Sequence, residues 1–199
     1  QLTGRTTASL SAEVRPQVGG IIQKRLFTEG DMVKAGQALY QIDPSSYRAT
    51  WNEAAAALKQ AQALVASDCQ KAQRYASLVR DNGVSRQDAD DAASTCAQDK
   101  ASVESKKAAL ESPRINLNWT TVTAPIAGRI GISSVTPGAL VSADQDTALA
   151  TIRGLDTMYV DLTRSSVDLL RLRKQSLASN SDTLSVTLTL EDGSTYPEK

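Results

Sequence analysis

Histidine is absent from the chain, phenylalanine occurs once, and aromatic residues make up only 4% of it. The first absence removes the commonest general base, metal ligand and near-neutral pH switch together. The scarcity of aromatic rings leaves no base-stacking platform for nucleic acid. Charge of either sign is also not in surplus, since 22 Lys and Arg balance 22 Asp and Glu, so no net field draws in a polyanion or an anionic membrane. No apolar run reaches the roughly 18 residues of a membrane span, and no signal peptide is visible. The pattern opens in mid-course at Gln1-Leu2-Thr3 and stops soon after a strand pair begins. The expectation is therefore an excised piece whose targeting signals lie elsewhere.

What is present first is a repeat. Moving Glu13–Ile22 forward by 108 positions sets Val14 on Val122, Val18 on Ile126, Gly20 on Gly128 and Ile22 on Ile130. The same shift sets Gly30 on Gly138 and Val33 on Val141; a slightly larger one sets Leu39 on Leu149 and Ile42 on Ile152. Such self-similarity outranks other sequence signals. It predicts one small β-module opened at its midpoint, with short strands such as Val18–Ile22 and Lys24–Phe27 and turns at Gly30 and Gly36.

Between the halves the composition changes to Ala, Gln, Leu, Lys and Glu, which is long-helix material. Asp43-Pro44 is a start signal, an acidic cap followed by a proline suited to the first helical position. Apolar or small residues then recur at Tyr47, Trp51, Ala54, Leu58, Ala61, Val65, Cys69, Ala72, Ala76 and Val79. The alternation of three and four predicts a coiled-coil seam with one stutter near Val65–Cys69. Asp81-Asn82-Gly83 stops the helix, and Ser85-Arg86-Gln87-Asp88 restarts it as a capping box with Asp in the Glu/Gln slot. The return seam reads Ala89, Ala93, Cys96, Lys100, Val103, Lys107 and Leu110. Pro113 predicts a bend or an early end. Asp88, Asp90 and Asp91 suit the helix dipole, and their spacing is not that of a calcium loop.

Cys69 and Cys96 lie at matched distances from the Asn82-Gly83 turn and both fall on the seam. A cross-hairpin disulfide follows from that register, stabilising by about 3 kcal/mol and implying an oxidising compartment. The alternative is two packed thiols in a reducing compartment. Tyr47 and Trp51, near the helix base, are expected to pack against the module. Beyond the second half, Met158–Leu162 and Leu184–Leu190 alternate as strands, Leu169–Gln175 reads as a short helix, and Glu191–Ser194 as a hairpin turn.

The reading is thus α+β: a long antiparallel coiled-coil hairpin (44–117) inserted in a lipoyl-like β-sandwich (11–43 and 118–152), plus a partial β-barrel (1–10 and 153–199). Several stretches, Ala12–Val18, Leu39–Pro44, Thr123–Gly131 and Gly138–Val141, resemble the periplasmic adaptors, or membrane fusion proteins, of resistance–nodulation–division (RND) multidrug efflux pumps, in the AcrA/MexA branch. The resemblance runs over essentially the whole chain. It implies a non-enzymatic periplasmic protein without cofactor or metal, held at the inner membrane by an N-terminal lipid. It also implies an inner-membrane RND transporter, a TolC-like outer-membrane channel and copies of itself as partners, with a hexamer in the assembled pump and no nucleic acid.

In that family the hairpin tip carries an Arg, a Leu four residues on and a Ser seven further, which here fall on Arg74, Leu78 and Ser85. Asn82, Gly83 and Val84 form the tip itself. Arg74 and Leu78 stack one turn apart, offering a charged arm and an apolar anchor. The plainer reading is a solvated Arg, a terminal seam Leu and an N-cap Ser. Glu29, Asp31, Lys34 and Arg129 are candidates for contacts in the ring. A carrier lysine between the two halves is missing, its place being taken by the hairpin. This weighs against a lipoyl or biotinyl carrier, the rival from another class; an adaptor of an ABC-type exporter or secretion system is the nearest rival, and a generic coiled-coil scaffold a third.

Overall fold

A computed structural model describes residues 4–81, 83–143, 145–162, 187–189 and 195–197. In chain order β1 (Gly4–Ala8), β2 (Ser11–Val14), β3 (Gly20–Arg25), β4 (Met32–Val33) and β5 (Ala38–Ile42) precede α1 (Ser45–Leu78). A 3-10 turn, Val79–Asp81, leads to α2 (Arg86–Trp119). Then follow β6 (Thr121–Thr123), β7 (Gly128–Ile130), β8 (Leu140–Val141), β9 (Ala150–Arg153), β10 (Met158–Leu162), β11 (Thr187–Thr189) and β12 (Thr195–Pro197).

The repeat becomes a sandwich whose halves exchange strands. One sheet runs β2-β9-β7-β4 and the other β6-β5-β3-β8, so each half supplies two strands to each sheet. The repeat-related pairs meet in one core: Val14 and Val122, Ile22 and Ile130, Val33 and Val141, Leu39 and Leu149, Ile42 and Ile152 are all buried. Hydrogen bonds repeat as well. Gly30 N–H donates to the Ile130 carbonyl at 3.0 Å, and its counterpart Gly138 donates to Ile22 at 2.8 Å. Tyr40 fills the centre with its hydroxyl 2.7 Å from Ser133 Oγ and 3.1 Å from the Leu149 carbonyl. Burial pushes that phenol above its ordinary range, so it stays a neutral hydrogen-bonding group. The two pieces expected at Val18–Ile22 and Lys24–Phe27 are one strand, β3, whose register against β5 shifts between Ile22 and Lys24. A bulge bends a strand without ending it.

Gly20 and Gly128, matched by the repeat, both adopt a φ of 154° at the start of β3 and β7. A Cβ on Gly128 would fall against the carbonyl of Arg153, whereas one on Gly20 would meet only the Ile42 Cγ2 methyl, at 2.6 Å. Backbone cannot move aside as a methyl can. Gly128→Ala is therefore expected to cost about 2–4 kcal/mol through strain and overpacking, with Gly20→Ala costing less. Urea unfolding of both variants measures this, and a Gly128→Ala midpoint equal to wild type would contradict it.

The hairpin is bound to the sandwich at both roots. Asp43 accepts from the Ser45 amide (3.0 Å) and hydroxyl, acting one position before Pro44 at the head of α1. Those bonds hold its carboxyl below the usual range. Tyr47 packs on the core and donates to the Gly19 carbonyl at 2.7 Å, while Trp51 is half-buried one turn further along. At the other root the Thr120 carbonyl accepts from the Ile42 amide at 2.7 Å. The early end expected at Pro113 does not occur, because α2 continues to Trp119. One backbone bond is lost there, but Leu110, Pro113 and Leu117 are all sheltered on the seam, and packing rather than propensity carries most helix stability.

The seam itself is corrected by the structure. Between Arg86 and Leu110 of α2 the sheltered positions are Ala89, Ala92, Cys96, Asp99, Val103 and Leu110, while Ala93, Lys100 and Lys107 are exposed. On α1 they include Val65, Asp68, Cys69, Ala72 and Tyr75, continued by Val79 of the 3-10 turn, with Ala76 exposed. The heptad therefore needs no stutter, since Asp68 fills the missing place. Hydrophobicity could not choose, because Ala92 and Ala93 are identical and Asp99 and Lys100 are both charged. Cys69 and Cys96 are joined in a disulfide with their Cα atoms 4.7 Å apart.

The second unit comprises Gln1–Ser9 and Met158–Lys199. Here β1 pairs antiparallel with β10, and β11 with β12. Residue 153, expected in the barrel, belongs to β9, where Arg153 pairs with Ser11 and Arg129. The helix expected at Leu169–Gln175, the turn at Glu191–Ser194 and most of the Leu184–Leu190 strand lie outside the described residues.

Candidate functional site

Two 34-residue helices of about 51 Å each at 1.5 Å per residue make the hairpin, and its free end is the candidate site. The chain reverses there by local chemistry. The Gly83 amide donates to the Leu78 carbonyl at 2.9 Å, closing the turn that follows α1. Ser85 is the N-cap of α2, its Oγ accepting from the Asp88 amide at 3.1 Å. Its hydroxyl donates in turn to Asp88 Oδ2 at 2.6 Å. The Asp carboxylate thus takes the cap hydroxyl rather than the cap amide a longer Glu would reach.

Arg74 and Leu78 lie one turn apart on the last stretch of α1, both exposed. Leu78 leaves 41% of its surface in solvent, with its side chain lying beside the exposed Gly83. Arg74 is exposed, and its carbonyl accepts from the Ser77 hydroxyl at 2.7 Å. Val84 is half-buried, and Asn82 lies outside the described residues. The tip therefore presents an apolar anchor and a cation on α1, with an exposed, capped Ser85 opening α2. Sequence reasoning passed over Arg80 and Asp81, which the 3-10 turn leaves exposed beside Leu78. Of the two, only Asp81 enters the sequence reading, as part of the stop signal.

Among the described residues no group of His, Cys, Asp and Glu could hold a metal ion, and no helix is long and apolar enough to cross a membrane. Elsewhere the charged turn proposed for ring contacts is partly engaged internally. Arg129 Nε donates to the Gly30 carbonyl at 2.8 Å, and Glu29 accepts from Arg25 at 2.6 Å and from the Ser133 amide at 3.2 Å.

The family model described as "RND MFP, barrel-sandwich hybrid domain" matches residues 10–153. Multidrug resistance protein MexA of Pseudomonas aeruginosa is 51% identical over 99% of the chain and 49% of its own length. Multidrug export protein AcrE of Escherichia coli is 48% identical over all of the chain and 53% of its own length. A crystallised MacA-MexA chimera carrying the MexA α-hairpin domain is 30% identical, with a TM-score of 0.57 over 98% of the chain and 64% of its own. The membrane fusion protein Spr0693 of Streptococcus pneumoniae, 21% identical, shares the fold at a TM-score of 0.71 over the whole chain and 81% of its own. The chain spans about half the length of the curated relatives it matches.

Proposed function

The chain belongs to the RND membrane fusion proteins, and from that membership we propose that it is the hairpin-bearing part of a periplasmic adaptor. In this reading the whole protein links an inner-membrane RND drug/proton antiporter to a TolC-like outer-membrane channel and performs no catalysis. It is anchored to the inner membrane by an N-terminal lipid and works as several copies around one axis, six in the assembled pump.

The observation that carries the reading is a rigid rod clamped at its roots whose free end keeps Arg74 and Leu78 exposed. A leucine left in water at the end of a rod favours burial against a partner. A neighbouring arginine supplies oriented hydrogen bonds, the pairing of types that dominates interface hot spots. Exposed Ser85 adds little bulk next to them, so a facing helix can approach closely. The disulfide supports the compartment, because such bridges persist in the periplasm and are rare in reducing cytosol.

The test is a photo-reactive residue placed at Gln87 of the full-length protein in living cells, with the captured partner identified by mass. Capture of an outer-membrane channel protein is expected from Gln87 and not from Gln60, far down the rod. Equal capture from both positions, or of some other protein alone, would overturn the docking assignment.

A further inference from the structure

Coiled-coil seams are built from apolar and small residues, and a carboxylate there loses hydration that only a partner can replace. This hairpin places one on each helix. Counting outward from the tip, the sheltered positions match Val79 with Ala89, Tyr75 with Ala92, Ala72 with Cys96, and then Asp68 with Asp99. Asp99 Oδ2 is shut off from water and finds no hydrogen-bond donor among the described residues. What it does reach is the carboxyl of Asp68 on the opposite helix.

Two such groups would ordinarily separate. The disulfide prevents that, since Cys69 is the neighbour of Asp68 and Cys96 lies one turn before Asp99, and the bridge holds their Cα atoms 4.7 Å apart. Facing like charges that cannot part have one inexpensive resolution, which is to hold a proton between them. We propose that Asp68 and Asp99 share one proton across the hairpin, so that this layer of the seam is at ease in acid and carries an unrelieved repulsion as its surroundings become neutral.

The other charges around the pair do not offer an alternative partner. From α1, Lys71 shares a shallow depression with Asp68, and from α2 Asp88 and Asp91 line the same depression with Thr95. The Lys71 ammonium stands over the Tyr75 ring, 5.4 Å from its centroid. Lys100, next to Asp99 in sequence, is exposed. Of all these, only Asp68 bears on the Asp99 carboxyl, which burial first, and then the bond to and charge of Asp68, push above the ordinary range.

The direction follows by linkage. A carboxyl whose pKa is raised on folding binds its proton more tightly in the folded chain. Its contribution to stability is complete below the ordinary aspartate value of about 3.9 and is lost as pH rises through the raised value.

Carboxyl carbon NMR of the wild-type chain, titrated from acid to alkaline pH with the disulfide intact, tests this directly. The Asp99 carboxyl is expected to titrate with a midpoint above the ordinary aspartate range, and Asp68→Asn is expected to bring that midpoint back down. Reducing the disulfide, which frees the helices to separate, is expected to move that midpoint back down. Asp99→Asn, which keeps the shape of the protonated group, is expected to melt with wild type in acid and above it at neutral pH. Titration of Asp99 within the ordinary aspartate range in the wild-type chain, or a midpoint that Asp68→Asn leaves unmoved, would overturn the proposal, whatever the melting of Asp99→Asn.

Discussion

Leu78→Asp in the full-length protein is expected to reduce drug resistance to that of a strain without the adaptor, while adaptor abundance stays at wild type. Both halves of that result come from the same exposure. With 41% of its surface in solvent, Leu78 contributes little to the hairpin core, so a carboxylate there is hydrated in the free protein. On docking, that carboxylate must be desolvated in an apolar pocket, and the anchor is lost with it. A hot-spot anchor carries about 2–4 kcal/mol, which is roughly 30- to 1,000-fold in affinity. Arg74→Glu is expected to act in the same direction by replacing a donor with an acceptor of opposite charge. Leu64→Asp is the control: Leu64 is on the same helix and 48% exposed, but well below the tip, and should leave resistance intact. Minimum inhibitory concentrations alongside immunoblots settle the matter. Wild-type resistance in the Leu78→Asp strain would leave the tip without its assigned role.

The second large effect is on stability. Replacing Cys69 and Cys96 together with Ser, or reducing the native bridge, is expected to lower the stability of the chain by about 3 kcal/mol, since the bridge removes loop-closure entropy from the unfolded ensemble. The loop it closes, 27 residues in separation, contains the whole tip. Loss should therefore appear first as fraying at Val79–Ser85 and only later in the sandwich, which has its own buried core. Hydrogen exchange with and without reductant resolves the two regions. Thiol titration of denatured, unreduced protein should find no free thiol, and two per chain would contradict the bridge.

These effects were not equally legible before the fold was known. Self-similarity between Glu13–Ile22 and its counterpart carried the split module, because identical turn and core requirements recur at the same offsets; Gly20 and Gly128 even share their φ. The hairpin was equally visible, since composition and seven-residue spacing depend on one helix at a time. The reversal followed from the stop at Asp81-Asn82-Gly83 and the capping box at Ser85, whereas the docking roles of Arg74, Leu78 and Ser85 came only with the family resemblance. Neither Asp68 nor Asp99 is singled out by the sequence, however. On α1 the apolar stripe passes over Asp68, which produces the stutter; on α2 hydrophobicity does not separate Ala92 from Ala93 or Asp99 from Lys100, and the wrong member of each pair is placed on the seam.

What the sequence by itself determined were the properties set by local chemistry and period: two β-halves, a long two-helix insert, a return helix capped at Ser85, and cysteines equidistant from the Asn82-Gly83 turn. Tertiary structure alone decided the exchange of strands between sheets, the passage of α2 through Pro113, and the rotation that turned Asp99 rather than Lys100 toward α1. Each of these depends on what lies across an interface. Strand exchange lets repeat-related apolar residues close a single core, and seam packing offsets the bond that proline lacks. The rotation of α2 is shared with a disulfide and a facing helix, which no pattern along one strand of sequence contains.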